Sequence, residues 1–248
     1  MKKLILLLSF AVSVAAFGQN ITDAQGSKQG KWKKLYPNGE VMYEGTFKDD
    51  KPVGEMLRYD ESGKLRSIQQ YAEGSDNFTV EYYDPQTGKL TSKGAYNGKL
   101  RDGEWQYIAP ESGTVVMIEH LKNGKLSGTT QIFNLDKGLI EEMNWVDDVM
   151  VGAHKRYFDD GTLYIEQQYD TGGALTGEVK MYFENGALAA KGNYTAGKKE
   201  GKFEFFNPDG TPDFSFIARD NVLPQTSIDV RQQTVLQDFL QQIEGVGN

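Results

Sequence analysis

Glycines recur along this chain at a fixed step, and that periodicity limits what it can fold into more than any other feature. An opening position falls at Gly30, Gly54, Phe78, Gly103, Gly128, Gly152, Gly177 and Gly201, in steps of 24 or 25 residues. A second glycine falls at Gly39, Gly63, Gly88, Gly113, Gly138, Gly161, Gly186 and Gly210. Eight such units fill the chain from about residue 26 to 218. Two residues after the second glycine stands an aliphatic side chain: Val41, Leu65, Leu90, Val115, Ile140, Leu163 and Leu188, with Pro212 breaking the rule in the last unit. Seven or eight residues after that glycine comes a large apolar one: Phe47, Tyr71, Tyr96, Leu121, Trp145, Tyr169 and Tyr194.

The opening arm of each unit alternates, as in Trp105-Gln106-Tyr107, Val179-Lys180-Met181 and Phe203-Glu204-Phe205. Period-two alternation rich in aromatic and branched residues predicts strands with one covered face. Asn38-Gly39, Asn185-Gly186, Asp160-Gly161 and Asp209-Gly210 predict hairpin turns, because Asn, Asp and Gly tolerate left-handed backbone. Each unit therefore reads as one β-hairpin. A lone hairpin cannot bury its apolar face, so stability must come from stacking neighbours.

The segments GKWKKLYPNGEVMYEGTFKDDKPVG (30–54), GEWQYIAPESGTVVMIEHLKNGKLSG (103–128) and GEVKMYFENGALAAKGNYTAGKKEG (177–201) carry glycine spacing, aromatics and the post-turn aliphatic together. This layout resembles the MORN repeat, in the divergent bacterial form of the YwqK family of antitoxin-like proteins. The resemblance covers about four fifths of the chain. It implies an all-β fold: an elongated, twisted antiparallel sheet of about eight serial hairpins over residues 30–218, preceded by a lead-in at 19–29. Sixteen strands at about 4.8 Å spacing would extend roughly 75 Å. Phe78 departs from the glycine pattern, so the geometry of the third unit is expected to differ. The two open edges of such a sheet invite unwanted pairing unless covered.

The ends of the chain read differently. Lys2 and Lys3, an apolar run from Leu4 to Ala16 and the small residues around Gly18 have the order of a secretory signal peptide over residues 1–18. The run is too short to span a bilayer, and no later stretch is long enough to anchor the chain. The expected product is exported, periplasmic or secreted. The chain has no cysteine, which excludes disulfides, thiolate metal sites and a lipidated cysteine. Loss of Lys2 and Lys3 leaves 25 basic residues against 35 acidic ones, a net charge of minus 10. Such a surface is repelled by nucleic acid and by anionic membrane. In the C-terminal segment 219–248, Val235, Leu236, Phe239, Leu240 and Ile243 share one helical stripe. Thr226 and Asp229 have capping-box spacing and Gly245 marks the stop. The expectation is an amphipathic helix packed over the last hairpin as a cap; the alternative is a helix that docks on a partner.

Candidate chemistry is sparse. GNYTAGKK (192–199) falls one residue short of a phosphate loop, but it occupies the end of the seventh unit, with no helix to follow and aim amides at a phosphate. His120 and His154 lie at different phases of the repeat and read as solvated sheet residues. Asp49-Asp50, Asp147-Asp148 and Asp159-Asp160 read as turn residues rather than a calcium loop. Nothing in the sequence assembles a nucleophile, base and stabiliser, so the expectation is a non-enzyme with no cofactor and no metal. The repeated aromatics Phe47, Tyr71, Tyr96, Trp145, Tyr169 and Tyr194 are the candidate binding face, with core packing as the competing role. Three readings follow: a binding or scaffold module for a macromolecular partner in the bacterial envelope, an antitoxin-like neutraliser of a partner protein, or a carbohydrate or cell-wall-binding module. The expected partner is a protein or a cell-wall polysaccharide.

Overall fold

The computed structural model describes residues 19–223 and 228–245. The signal peptide expected over residues 1–18 and Thr226 of the expected capping box lie outside the described residues. The eight units are eight hairpins. Lys28–Leu35 pairs with Val41–Lys48, Lys51–Tyr59 with Leu65–Tyr71, Phe78–Tyr83 with Leu90–Asn97, and Leu100–Ala109 with Thr114–Lys122. Gly128–Phe133 then pairs with Leu139–Val146, Gly152–Tyr157 with Leu163–Tyr169, Gly177–Tyr182 with Leu188–Thr195, and Gly201–Phe206 with Pro212–Ala218. Each second arm also pairs with the next first arm, so the arms form one open antiparallel ladder in chain order.

The turn chemistry divides in two. At Asn38-Gly39, Asn185-Gly186, Asp160-Gly161 and Asp209-Gly210 only the glycine takes positive φ, between 80° and 91°. The Asn or Asp carboxyl or amide oxygen instead accepts a backbone N–H two residues on, as from Glu40 to Asn38 and from Thr162 to Asp160. Each is a three-residue loop with a glycine bulge, and the register slips by one residue where each loop joins its strands. The two-residue turns with both φ positive lie between units, at Asp49-Asp50, Asn123-Gly124, Asp147-Asp148 and Ala196-Gly197. At the third unit, where Phe78 replaces glycine, the ladder from Ser67–Tyr82 to Tyr71–Phe78 runs without a slip.

Cross-strand partners share a face and neighbours along a strand alternate, so the register assigns every side chain. The polar face carries Lys33–Glu44, Lys155–Glu166 and Lys191–Glu204 pairs, each worth at most about 1 kcal/mol. The other face is apolar. Its central row takes one residue from each first arm: Trp32, Met56, Val80, Trp105, Thr130, His154, Val179 and Phe203. Between them, Gly94 and Gly192 provide seats for rings. A β-carbon on Gly94 would sit 2.3 Å from the Trp105 ring, and one on Gly192 would sit 2.1 Å from the Phe203 ring. Trp105 is thereby 2% exposed in a single-layer sheet, and Phe203 is fully buried.

Two apolar clusters result. One centres on Val80, Trp105 and Leu121. The other gathers Ile165, Val179, Ala190, Phe203, Phe205 and Phe216 with Phe239 and Ile243 of helix α1 (Val230–Glu244). Between them Thr130 and His154 of the row and the second-arm residues Glu119 and Gln167 are buried polar side chains, with Met143 among them. The expected solvated His154 is fully buried because it holds the row position that Trp105 and Phe203 hold elsewhere.

Helix α1 forms where its stripe predicts, but its start is one turn later than the Thr226 box. Asp229 caps it, accepting from the Gln232 amide at 2.8 Å while Gln232 Oε1 accepts from the Asp229 amide. Arg231 pairs with Asp213 at 2.7 Å, Gln167 Nε2 donates to the Ile243 carbonyl at 2.8 Å, and Arg156 donates to Gln242 at 3.1 Å. The helix therefore lies across the apolar face of units 6 to 8, beyond the last hairpin alone, and it covers a face rather than the outer edge. At the N-terminal edge, Ile21–Thr22 pairs with Lys28–Gln29. Asn20 extends that cover, its side chain donating to the Lys33 carbonyl and accepting the Lys33 amide.

The ring seat predicts coupled energetics. Gly192→Ala should cost about 1–3 kcal/mol by overpacking, and Phe203→Ala about 3–5 kcal/mol by cavity formation. The double variant should cost clearly less than their sum in urea denaturation, since the added methyl then fills the space the ring leaves; strict additivity would show the ring is not seated there. Phe239→Ala should release α1 locally, because repeat arrays couple chiefly to nearest neighbours. Ellipticity at 222 nm should fall on heating before the fluorescence of Trp32, Trp105 and Trp145 changes. Coincident transitions would refute local release.

Candidate binding face

The apolar face of units 1 to 4 carries large side chains, and among the described residues no helix lies over it. Lys28 Nζ stands 5.1 Å from the Trp32 ring centroid and 4.8 Å from that of Phe47. The Tyr71 and Phe78 rings stack at 4.6 Å, and Phe78 and Tyr96 at 4.8 Å. Tyr96 meets Trp105 edge-on at 5.4 Å, and the Arg101 guanidinium covers Trp105 at 5.3 Å. Arg58 lies 5.9 Å from Tyr43 and donates to Gln69 at 3.0 Å. This half of the sheet thus combines half-buried aromatic rings with three cations. Cation–π contacts of this kind contribute roughly 0.5–1 kcal/mol at exposed sites, and they hold the charges on the face rather than in bulk water.

Tyrosine hydroxyls add donors. Burial, then the hydrogen bond to Glu119, pushes the Tyr107 hydroxyl up to about 12. Burial and the Tyr96 hydroxyl at 3.3 Å raise Tyr82 as well. Both therefore stay protonated at neutral pH.

The six aromatics singled out from the sequence fall in one row on the apolar side of the sheet, on the second arms of units 1, 2, 3, 5, 6 and 7, and meet different surroundings. Phe47 is 8% exposed and Tyr194 only 2%. Tyr194 is sealed by α1, donating to Glu244 at 2.8 Å. Tyr169 packs 6.2 Å from His154. Trp145 is half-buried, and its indole N–H meets no protein acceptor among the described residues. Tyr71 and Tyr96 stand on the uncovered half, but each stacks on a face of Phe78. Phe78 thus has both ring faces occupied.

The cations Lys28, Arg58 and Arg101 were not singled out from the sequence. The signal existed for two of them: Lys28 and Arg101 both stand two residues before an opening glycine. His120 and His154 fall on opposite faces, as their register with Glu104 and Gln167 requires. His154 Nε2 lies 2.8 Å from Glu141. His154 Nδ1, Gln167 Oε1 and Thr130 Oγ1 are buried without a protein partner among the described residues. Also among them, no group of three or more His, Asp or Glu side chains is placed to hold a metal ion. An open groove of about 610 Å³ runs beside α1, lined by Phe158, Tyr164, Phe183, Asp238 and Gln242. It has no nucleophile and base in hydrogen-bond reach of each other.

The His154 hydrogen bond, set against burial, holds the Glu141 carboxyl below its ordinary value of 4.5. A lowered folded-state pKa contributes stability that is present above the ordinary value and is lost as pH falls through the lowered one. Glu141→Gln should therefore flatten the fall in thermal midpoint below about pH 4.5, measured by circular dichroism. An unchanged slope would show that this pair does not contribute.

Four segments, residues 28–49, 52–73, 150–171 and 175–196, match the family model of the MORN repeat variant. They are units 1, 2, 6 and 7 of the ladder. The unmatched units include the third, with Phe78 for glycine, and the eighth, with Pro212 for the aliphatic residue. A search of curated proteins returns no match to the chain. The chain thus carries MORN-variant repeats, four recognised in sequence and set within eight hairpins of one architecture.

Proposed function

We propose that this chain is an exported, non-catalytic binding or scaffold protein of the bacterial envelope that holds a macromolecular partner on its uncovered aromatic face. MORN repeats typically serve as binding or scaffold modules, and the observation that carries the reading here is the contrast between the halves of one sheet. Units 6 to 8 bury their apolar face under α1. Units 1 to 4 present the equivalent face, with Tyr71, Phe78, Tyr96 and the cations Arg58 and Arg101, without such a layer among the described residues. An uncovered patch of aromatic and Arg side chains has the composition of an interface centre. The stacked Tyr71–Phe78–Tyr96 rings favour a protein partner over a polysaccharide.

Affinity capture of the mature chain from an envelope extract, followed by mass spectrometry, tests the reading. The same partner protein should be recovered reproducibly. It should be lost with the double variant Arg58→Glu, Tyr71→Ala, and kept with Lys191→Ala on the polar face. Recovery of no protein above background, or retention on insoluble glycan instead, would overturn it. A captured toxin would narrow the reading to neutralisation.

A further inference from the structure

Residues with which the sheet holds its own helix have counterparts elsewhere in the molecule. At the C-terminal end of α1, the Glu244 carboxylate accepts from the Tyr194 hydroxyl at 2.8 Å and pairs with Lys199 Nζ at 2.5 Å. Tyr194 and Lys199 are cross-strand partners. Phe239 of α1 meets Phe203 edge-on at 6.2 Å, and Phe203 lies on Gly192. Val179 completes the floor.

Each of these sheet residues has a counterpart four units earlier. Gly192, Tyr194, Lys199 and Phe203 correspond, at a constant offset of 98 residues, to Gly94, Tyr96, Arg101 and Trp105. Val179 corresponds to Val80 in the same row. The geometry recurs for the seated ring and its tyrosine, while the cation differs: Arg101 lies over the Trp105 ring and Lys199 over the Tyr194 ring. Trp105 lies on Gly94 as Phe203 lies on Gly192. Tyr96 and Trp105 meet at 5.4 Å and 85°, Tyr194 and Phe203 at 5.9 Å and 76°. Tyr96 and Arg101 are cross-strand partners, as Tyr194 and Lys199 are. The cluster around Trp105 is built from strand residues alone, whereas that around Phe203 includes α1.

We propose that units 3 and 4 form a second helix cradle, which takes an amphipathic helix of a partner protein with the chemistry of α1: an apolar stripe containing an aromatic ring, closed by a carboxylate at its C-terminal end. The proposal rests on the binding-face reading and specifies its partner. Charge fits the assignment. Arg101 replaces Lys199 as the cation facing the carboxylate, and a guanidinium presents a fork of donors where an ammonium presents a point. One of its nitrogens already meets Tyr107 at 2.6 Å and Glu119 at 2.9 Å. The guanidinium has five N–H donors, so a second carboxylate shares Arg101 with Glu119. The Tyr96 hydroxyl, now 3.3 Å from that of Tyr82, supplies the donor that Tyr194 supplies to Glu244.

The probe is a fluorescein-labelled synthetic peptide with the sequence of residues 228–245, titrated by anisotropy with the full mature chain, whose own α1 occupies the C-terminal cradle. Saturable one-to-one binding is expected. Arg101→Ala and the conservative Tyr96→Phe should each weaken it, Arg101→Ala at least tenfold. A peptide carrying E244Q should bind less tightly to the parent chain and lose little more on Arg101→Ala, since the two changes remove one contact. Lys199→Ala should leave binding unchanged. Circular dichroism of each variant separates lost binding from lost folding. Absence of saturable binding up to roughly millimolar peptide, an affinity of only about 4 kcal/mol, would overturn the proposal. So would binding that is abolished by Lys199→Ala and indifferent to Arg101, which would mean exchange with α1 in its own cradle. Either failure leaves envelope capture free to succeed, so the two readings fall separately.

Discussion

A ladder of hairpins has one apolar face and no second sheet to bury it against, and every other feature of this protein answers that constraint. Burial is won within the layer, by laying large rings flat on backbone that carries no side chain. Trp105 on Gly94 reaches core-like exclusion from water this way, and Phe203 on Gly192 does so with Phe239 of α1 packed against it. Fully burying a large apolar side chain contributes roughly 1.5–3 kcal/mol, so a ring seat is worth about as much as an ordinary core position in a two-layer fold. Both halves of the sheet have a ring seat, and among the described residues only units 6 to 8 add a helix over it.

The repeat was legible because its signals are local. A glycine with positive φ, an aliphatic residue after the turn and alternation along an arm each depend on a few consecutive residues, and together they place sixteen arms. The part that was not legible depends on the same residue doing two jobs. Gly186 is required by its φ of 80°, whereas Gly192 is required by the ring above it; a sequence shows two glycines and no difference between them. His154 was misread for a related reason. Its residue type argues for solvent, and only the register reveals that it sits in the row of Trp105 and Val179. The stripe of α1 was plain in Val235, Leu236, Phe239, Leu240 and Ile243, yet a stripe does not specify which apolar surface it meets. Its position is fixed by polar groups far away in sequence, Gln167, Tyr194 and Asp213.

The candidate face was half legible. Aligning the units found the aromatic row, because aromatic residues recur in it at nearly every step. The cations escaped because they recur at only some units: Lys28, Arg101 and Lys199 share one repeat position, while its other members include Pro52, Asp76 and Leu126. A sparse position reads as noise until the structure shows what it faces. Electrostatics on the two faces therefore differ in kind. On the polar face, Lys and Glu alternate and neutralise one another. On the apolar face each cation is held against a ring, and two of them adjoin a buried polar group.

Four buried polar side chains, Glu119, Thr130, His154 and Gln167, lie on either side of Met143 and separate the two apolar clusters. Hydrogen bonds hold Glu119, His154 and Gln167, and three of the four bury polar atoms that meet no protein partner among the described residues. Per residue such a stretch gains less from burial than Val80 or Val179 of the central row. Cooperativity along a linear array is limited by its weakest interface. The protein is continuous in its hydrogen-bonded backbone and discontinuous in its packing. Packing therefore divides the molecule into two apolar blocks, one built of strands alone and one completed by α1, along a backbone ladder that does not break.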